Sequence, residues 1–254
     1  MSRRILDTSV GPAAAVPIDR GRRRREPRVW DGGYVLLRTL TNQMKAQARL
    51  KLDERGLVDV IDIGCGTRPY EPIFQPYART YLGVDIQPGP SVDVIASAES
   101  LPFSENSFDC AVCSQVLEHS SDPWAVTAEI FRVLRPEGVA FVSTHGVAPY
   151  HAAPGSPIND YWRWTHAGLE RMFRGVRPWR RVEVFPNGGE ASALAYLTGR
   201  ELEIVAAKAG FRLAAAPFVL AMNLLAWNAD RALKRLSPAR PPHLAPNYLA
   251  VAIR

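Results

Sequence analysis

The stretch Val60-Ile61-Asp62-Ile63-Gly64-Cys65-Gly66 decides the fold of this 254-residue chain. A short apolar run leads directly into a Gly-x-Gly turn, which is typical of a buried strand that ends at a ligand. Glycine permits a positive φ and lets a ligand approach the backbone, because no Cβ intervenes. A dinucleotide fingerprint would need a further glycine at position 69, where the chain has Pro69. The stretch predicts a nucleoside-type turn without a pyrophosphate site, and an ordinary tight turn is the alternative.

An acid at the end of the next predicted strand strengthens the ligand interpretation. Tyr81-Leu82-Gly83-Val84 leads into Asp85, 23 residues after Asp62. A carboxylate at that position can accept both hydroxyls of a ribose. The combination favours an adenosine moiety without a pyrophosphate, and S-adenosylmethionine is the common cofactor of that description.

Strand-like and helix-like runs alternate along most of the chain. The predicted strands cover 58–63, 80–84, 92–95, 108–112, 139–144, 180–185 and 248–253, and the predicted helices cover 34–52, 123–134, 165–173, 191–209 and 211–236. Asp122 and Thr165 are the predicted N-caps of two of these helices. The alternation predicts an α/β fold with a Rossmann-like, mostly parallel, seven-stranded sheet and helices on both faces. A helical insertion over about 190–236 precedes the last strand.

Six ordered segments carry a family resemblance that covers roughly residues 58–144. They are DIGCGT (62–67), GVD (83–85), AESLPF (98–103), NSFD (106–109), VLEH (116–119) and EIFRVLRPEG (129–138). In these segments the chain resembles the class I S-adenosylmethionine-dependent methyltransferases, in particular the small-substrate, methyltransferase type 11-like group.

The resemblance implies S-adenosylmethionine as the cofactor and assigns residues to it. The family's pattern places Asp62, Gly64, Cys65 and Gly66 around the methionine part, Asp85 at the ribose, Ile86 at the adenine, Ala98 and Glu99 along the adenine edge, and Ser114 and Gln115 beside the methionine part. The chain departs from the pattern at Ser97, where an acid is common, and at Arg68, where a third glycine is common.

Methyl transfer from a sulfonium is an in-line displacement that requires alignment and exclusion of water, so no metal ligand is predicted. A hydroxyl acceptor would benefit from a general base. His119 and His145 are the candidates, because they follow the fourth and fifth strands at the expected ligand edge, and a structural role is the alternative for each. Cys110 and Cys113 form a Cys-x-x-Cys on a predicted buried strand, where a zinc site is not expected.

The aromatic segment Asn159–Thr165 is the candidate acceptor site. Tyr161, Trp162 and Arg163 combine ring faces with a cation, which suits a sugar or another polar ring. Similar segments occur in relatives that resemble bacterial glycan methyltransferases. The alternative is a hydrophobic anchor for the helix that follows.

The net charge of +6 is concentrated at the start of the chain. Residues 1–30 hold eight arginines and three acids, a net charge of +5, so the remaining residues are almost neutral. This distribution predicts a solvated, disordered basic arm over 1–29 and a methyltransferase domain over 30–254. Because the predicted domain is almost neutral, nucleic acid is not expected as its partner. The arm and the insertion together could contact an anionic membrane. No signal peptide is recognised, which favours a cytoplasmic protein, peripheral to the membrane if that contact forms.

The sequence thus predicts a methyltransferase that acts on a small-molecule or glycan acceptor, most plausibly at oxygen. Two other classes stay open: an RNA methyltransferase or RNA-binding protein that uses the arginine arm, and a non-catalytic nucleoside-binding protein. The oligomeric state cannot be read from the chain.

Overall fold

Seven helices and seven strands occur in the computed structural model, which describes residues 21–152, 158–210, 212–236 and 242–254. The helices are α1 (Arg22–Arg25), α2 (Tyr34–Leu52), α3 (Glu71–Phe74), α4 (Pro123–Val133), α5 (His166–Val176), α6 (Glu190–Lys208) and α7 (Arg212–Leu236). The strands are β1 (Val58–Ile63), β2 (Ala78–Asp85), β3 (Val94–Ile95), β4 (Phe108–Ser114), β5 (Leu134–His145), β6 (Arg181–Pro186) and β7 (Asn247–Ile253). A 3₁₀ helix, Gln75–Tyr77, follows α3.

All seven strands belong to one sheet, in the order β3-β2-β1-β4-β5-β7-β6. The strands from β3 to β5 pair in parallel, and β7 runs antiparallel to both β5 and β6. This arrangement confirms the predicted mostly parallel, Rossmann-like sheet. The order reverses between β1 and β4, and open α/β sheets bind ligands at the carboxyl ends of the strands beside such a reversal.

The two faces of the sheet carry separate hydrophobic clusters, because successive side chains of a strand point to opposite faces. Ile61 and Ile63 of β1 belong to one cluster, and Val58 and Val60 belong to the other. Cys110 and Cys113 of β4 are divided in the same way. The two thiols therefore face opposite sides of the sheet and cannot bind one metal ion together.

Helix α2 covers the cluster that contains Val60. Its fully buried residues Leu40, Met44, Ala48 and Leu52 recur every four positions, which gives one continuous apolar stripe. The helix has the bounds that the sequence predicts. Asp122 and Thr165 are N-caps of α4 and α5 as predicted: each side chain accepts a backbone N–H at 3.0 Å, from Ala125 and Gly168 respectively.

The helical insertion is present and consists of α6 and α7, which pack along each other and against α2. Asn223 is the single polar residue of an apolar stretch in α7, and it is buried. Its Nδ2 donates hydrogen bonds to the carbonyl oxygens of Val29, at 2.7 Å, and Asp31, at 3.0 Å. This asparagine ties the start of the domain to the insertion.

The start of β5 differs from the prediction. The sequence predicts a helix that ends at 134 and a strand that begins at 139. The helix ends at Val133 and the strand begins at Leu134, because Leu134 already has extended backbone angles and pairs with Phe108 of β4.

The basic arm predicted over 1–29 is only partly described, since residues 1–20 lie outside the described ranges. Arg25 is 9% exposed, and its Nη1 donates to the carbonyl oxygen of Pro69 at 2.5 Å. A Cβ on Gly21 would lie 2.5 Å from Pro69 Cα, so the backbones are in close contact. Gly21 and Arg25 therefore pack on the loop after β1, whereas Arg22, Arg23 and Arg24 between them are exposed as expected of a solvated segment.

Among the described residues, no helix combines the length and apolar composition that a bilayer crossing requires. The cytoplasmic location stays a prediction.

Candidate active site

A cavity of about 340 Å³ lies at the carboxyl ends of β1 and β4. It is lined by Arg24, Asp62, Gly64, Cys65, Gly66, Thr67, Pro69, Tyr70, Ser114 and Gln115. Six of these ten are residues that the sequence assigned to the cofactor, from the turn after β1 and the end of β4. The volume lies within the range of about 300–1,000 Å³ that small-molecule sites occupy.

The turn after β1 has the backbone conformation that its glycines predict. Gly64 and Gly66 have positive φ angles of 67° and 51°. A Cβ on Gly64 would lie 2.2 Å from Val116 Cγ2, whereas a Cβ on Gly66 would meet no atom within 4 Å. Gly64 is therefore required by packing, and Gly66 leaves an opening on the cavity side of the turn.

Asp85 stands beside this turn with acceptor capacity to spare. Its Oδ2 accepts the backbone N–H of Gly66, and its Oδ1 accepts that of Gln87, both at 2.9 Å. An ionised carboxylate has about four lone-pair sites, so two remain for a ligand. The position at the end of β2 matches the predicted ribose contact.

Asp62 is a buried carboxyl on the cavity wall. Tyr81 Oη donates to its Oδ2 at 2.8 Å. Burial raises the pKa of Asp62 to about 7, and the hydrogen bond from Tyr81 opposes part of that rise. A cationic ligand group beside Asp62 would favour the ionised carboxylate.

Arg68 occupies the position where the family often has glycine. Its φ of 51° is in the left-handed region that favours glycine, so the backbone keeps the expected shape. The guanidinium donates to the carbonyl oxygen of Ser91 at 2.6 Å and pairs with Asp93. These contacts hold the side chain against β2, where a Cβ on Gly83 would lie 2.7 Å from Arg68 Nε.

Of the remaining cofactor candidates, Ser114 and Gln115 line the cavity, whereas Ile86 and Ala98 do not. Ser114 Oγ shares a 2.8 Å hydrogen bond with Ser143 Oγ, and Gln115 has a positive φ of 60° on the cavity wall. Ile86 is 58% exposed beyond β2. Ala98 packs against the hydrophobic cluster that contains Ile61.

The Glu99 carboxylate makes hydrogen bonds within the protein. Its Oε1 accepts hydrogen bonds from Ser120 Oγ, from the backbone and side chain of Ser121, and from the backbone of Asp122, at 2.7–3.1 Å. The carboxylate therefore holds the turn before α4, and these contacts do not support the predicted role along the adenine edge.

Sequence reasoning missed four residues that line the cavity. Arg24 belongs to the arm that was expected to be solvated, and only its tertiary packing brings it here. Thr67, Pro69 and Tyr70 continue the turn beyond the Gly-x-Gly segment, so their position in sequence was the available signal. Tyr70 is buried, and its Oη has no hydrogen-bond partner within the described residues.

Both predicted bases lie in one histidine cluster near the end of β5. His119 Nε2 and His151 Nε2 are 3.2 Å apart, and the ring centroids of His145 and His151 are 5.1 Å apart. Neither His119 nor His145 is among the residues that line the 340 Å³ cavity. The structure adds His151 to the two histidines that the sequence singled out.

A buried carboxyl borders this cluster. Thr144 Oγ1 donates to Glu118 Oε2 at 2.8 Å, and Glu118 Oε1 lies 3.6 Å from His145 Nε2. Burial raises the pKa of Glu118 and lowers that of His145 to about 3. His145 is therefore neutral at pH 7 and can accept a proton or a cation.

The predicted acceptor segment is largely engaged in internal contacts. All five N–H groups of Arg163 are used: they donate to the Asp160 carboxylate and to the carbonyl oxygens of Ala148, Pro149 and Trp162. Trp162 Nε1 donates to the carbonyl oxygen of Ser120 at 2.9 Å. These contacts favour structural roles over the predicted acceptor contacts. Tyr161, 54% exposed, stays a candidate.

A larger groove of about 670 Å³ lies between Trp124 and helix α5. It shares no lining residue with the 340 Å³ cavity. The glycine turn lines the smaller cavity, and Asp85, which is not itself a lining residue, accepts the backbone N–H of Gly66 in that turn, so we place the candidate active site there.

The lining of the smaller cavity fits an adenosine-containing sulfonium. Gly66 has open space where a Cβ would stand, the Tyr70 hydroxyl is buried without a partner among the described residues, and Asp85, which contacts the lining at Gly66, has free acceptor sites. Fold and site together define a nucleoside-binding open α/β protein.

Comparison with known proteins narrows this class. Residues 61–142 match the family model described as "Methyltransferase domain". An uncharacterized methyltransferase of Mycobacterium sp. strain KMS is 37% identical over 94 residues, which cover 33% of this chain and 37% of that protein. Its counterpart in Mycobacterium marinum is 34% identical over 96 residues, covering 33% and 38%. The chain therefore spans less than two fifths of the length of the curated relatives it matches.

Two solved structures share the fold at low identity. Phosphoethanolamine N-methyltransferase 2 of Haemonchus contortus, in complex with S-adenosyl-L-methionine, has a TM-score of 0.52 and 14% identity, covering 92% of this chain and 60% of that one. The cyclase SpnF has a TM-score of 0.51 and 18% identity, covering 84% and 81%. Over residues 61–142 this chain is therefore similar to the methyltransferase-domain family, and it shares the fold of these two solved structures.

Proposed function

We propose that this protein transfers the methyl group of S-adenosylmethionine to a hydroxyl of a small-molecule or glycan acceptor. The observation that carries the proposal is the cavity at the β1 turn, where Gly66 leaves room and Asp85 keeps two acceptor sites free. A fold shared with a cyclase does not by itself establish methyl transfer, so the proposal rests on the site and on the family.

Named residues would hold the cofactor. Asp85 would accept the ribose hydroxyls, and the turn from Gly64 to Gly66 would lie against the methionine part. Arg24, the cation of the cavity wall, suits the carboxylate of that part. When bound, the cofactor supplies an electrophilic methyl group. Asp62, ionised beside the cationic sulfur, would balance its charge.

Oxygen as the methylated atom is supported by the histidine cluster. A hydroxyl must lose its proton on methylation, and a neutral imidazole can accept it. His145 is neutral at pH 7 because burial lowers its pKa to about 3, and that low value makes the isolated ring a weak base. An ionised Glu118, whose Oε1 lies 3.6 Å from His145 Nε2, would stabilise the imidazolium that forms. Tyr161 is the exposed aromatic side chain beside this cluster for a glycan ring to contact.

Calorimetric titration with S-adenosylhomocysteine tests the cofactor half. We expect saturable binding to the full chain and a loss of about 10–100-fold in affinity for Asp85→Ala, since hydrogen bonds to a charged group contribute about 1.5–3 kcal/mol. Glu105→Gln, an exposed acid in the turn before β4, is the matched control and should bind as wild type does. Folded wild-type protein that does not bind the cofactor would refute the proposal.

A second proposal concerns a membrane partner. Phe218 and Leu225 of α7 are seven residues apart, so they share a helix face, and they are 68% and 72% exposed. Lys234 and Arg235 lie in the last turn of the same helix. An exposed apolar face on a helix that also carries basic residues suits an anionic membrane surface. Flotation with anionic vesicles should recover the wild type and lose Phe218→Ser/Leu225→Ser, with phosphatidylcholine vesicles as control. Equal flotation of both proteins would contradict this partner.

A further inference from the structure

The two outer histidines of the cluster are held with their lone pairs facing each other. His119 Nδ1 lies 2.7 Å from the carbonyl oxygen of Asn159. His151 Nδ1 lies 3.2 Å from the carbonyl oxygen of Pro149 and 3.1 Å from Asp160 Oδ2. These acceptors require a proton on each Nδ1, so each neutral ring carries a lone pair on Nε2. The two Nε2 atoms are 3.2 Å apart, so in the neutral tautomers that these acceptors favour both lone pairs are available to one bound ion.

That spacing is the spacing of two ligands of one metal ion. Nitrogens at about 2.0–2.1 Å from a zinc ion are about 2.9–3.6 Å apart when the angle at the metal is between about 90° and 120°. The 3.2 Å distance between His119 and His151 lies in the middle of this interval. Metal-bound histidines regularly donate their other ring N–H to a carbonyl or carboxylate, as both rings do here.

On the buried side of the cluster, two further atoms that could bind a metal ion have no hydrogen-bond partner among the described residues. Glu118 Oε1 and His145 Nδ1 have no hydrogen-bond partner within the described residues, and Glu118 is fully buried. One donor atom from each of Glu118, His145 and His151 lies within 4.8 Å of the other two. The same holds for His119, His151 and Asp160. His151 is shared by both groups, and its side chain is 38% exposed, which leaves a path from solvent.

We propose that this cluster binds one divalent transition-metal ion, with His119 and His151 as nitrogen ligands and Glu118 and His145 on the buried side. Imidazole nitrogens suit zinc and its neighbours in the first transition row, whereas magnesium prefers oxygen ligands. The site joins the turn after β4, the end of β5 and the segment around His151 and Asp160. None of its residues was assigned to a metal by the sequence.

One consequence rests on the proposed function. A hydroxyl bound to such an ion would lose its proton to solvent more easily, as zinc-bound water does, so that a histidine base would not be required. The binding itself does not rest on that function, because it is measured without cofactor or acceptor.

The test uses the full chain without a histidine tag, treated with a chelator and then dialysed. Titration with Co²⁺ should produce saturable d–d absorption at one ion per chain, and Zn²⁺ should displace the Co²⁺, whereas Mg²⁺ should not. We expect His119→Ala and His151→Ala each to weaken the affinity by more than about tenfold, since even the loss of a residue that only orients a ligand costs about 10–100-fold.

His166→Ala is the matched control. His166 contacts the carbonyl oxygen of Val184 and belongs to neither donor group, so this variant should bind Co²⁺ as wild type does. Circular dichroism verifies that each variant is folded, and S-adenosylhomocysteine binding is measured in parallel, so that failure of the cofactor site is recognised separately. Absence of saturable Co²⁺ absorption in folded wild type would overturn the proposal. So would equal affinity of wild type and the His119→Ala/His151→Ala double variant, which would show adventitious binding elsewhere.

Discussion

Alanine substitutions at the two glycines of the β1 turn should separate folding from cofactor binding. Gly64 and Gly66 both have a positive φ, so an alanine at either position strains the backbone and destabilises the fold. They differ in what the new methyl group meets. At Gly64 it would lie 2.2 Å from Val116 Cγ2, and at Gly66 it would enter open space on the cavity side.

The expected magnitudes follow from this difference. A left-handed conformation costs an alanine about 1–2 kcal/mol. Overpacking adds about 1–3 kcal/mol at Gly64. Gly64→Ala should therefore lower the free energy of unfolding by about 2–5 kcal/mol, and Gly66→Ala by about 1–2 kcal/mol. For a domain of this size each kcal/mol corresponds to about 2–4 °C in Tm.

Urea denaturation measures the stabilities, and a double-mutant cycle isolates the steric part. Val116→Ala removes the methyl group that Gly64→Ala would strike, so the double variant should recover most of the overpacking cost, which appears as a coupling energy. Additive effects of the two substitutions would refute the steric reasoning.

For cofactor binding, in contrast to stability, we expect the larger effect at Gly66. Gly66→Ala should stay folded and lose about tenfold or more of its affinity for S-adenosylhomocysteine, because its methyl group occupies ligand space. Gly56 is the control: its φ is 69°, and a Cβ there meets nothing within 4 Å, but it lies outside the cavity lining. Gly56→Ala should bind normally. Normal binding by Gly66→Ala would mean that the ligand does not lie against this turn.

Three further predictions concern other contacts. Burial raises the pKa of Asp62 to about 7 in the folded protein, so the stability that this carboxyl contributes is complete below its ordinary pKa of 3.8 and is lost as the pH rises to about 7. The wild type should therefore gain stability relative to Asp62→Asn as the pH falls from about 7 to 3.8. A difference in urea unfolding that stays constant over this pH range would contradict the prediction. Arg163→Lys should lower stability by about 1–3 kcal/mol, because a lysine cannot make the same five hydrogen bonds, and an unchanged Tm would remove the structural role. Asn223→Ala should cost about 1–3 kcal/mol, because two hydrogen bonds are lost and the carbonyl oxygen of Val29 loses the donor that Asn223 supplies, whereas that of Asp31 still accepts from Tyr34. Asn228→Ala, whose side-chain hydrogen bond is exposed and local, should cost less, as compared by thermal unfolding.

Much of the fold was readable from local patterns. The Gly-x-Gly turn, Asp85 and the alternation of strands with helices predicted the sheet and the ligand edge, because backbone conformation and burial impose residue types at short range. Helix α2 and the N-caps Asp122 and Thr165 followed from the same local rules. The early start of β5 was missed, because Leu134 pairs with a strand that is remote in sequence.

Side-chain roles were predicted less well than backbone positions. The side chains of Arg163 and Trp162 are of types that could bind an acceptor, but in the structure both make hydrogen bonds within the protein. Glu99 is likewise engaged by a neighbouring turn. Residue type limits what a side chain can do, but its partners are chosen by packing.

The sequence alone indicated the class of the protein, since the alternation of strands with helices, the glycine turn and Asp85 each follow from local conformational demands. Only the tertiary structure decided that Arg24 lines the 340 Å³ cavity and that His151 lies between His119 on one side and His145 with Glu118 on the other. These contacts join segments from 24 to 151, and no local pattern records a distance between residues so far apart in the chain. The physical reason is that such groups are brought together by burial of other side chains, so their chemistry becomes visible only after the core has formed.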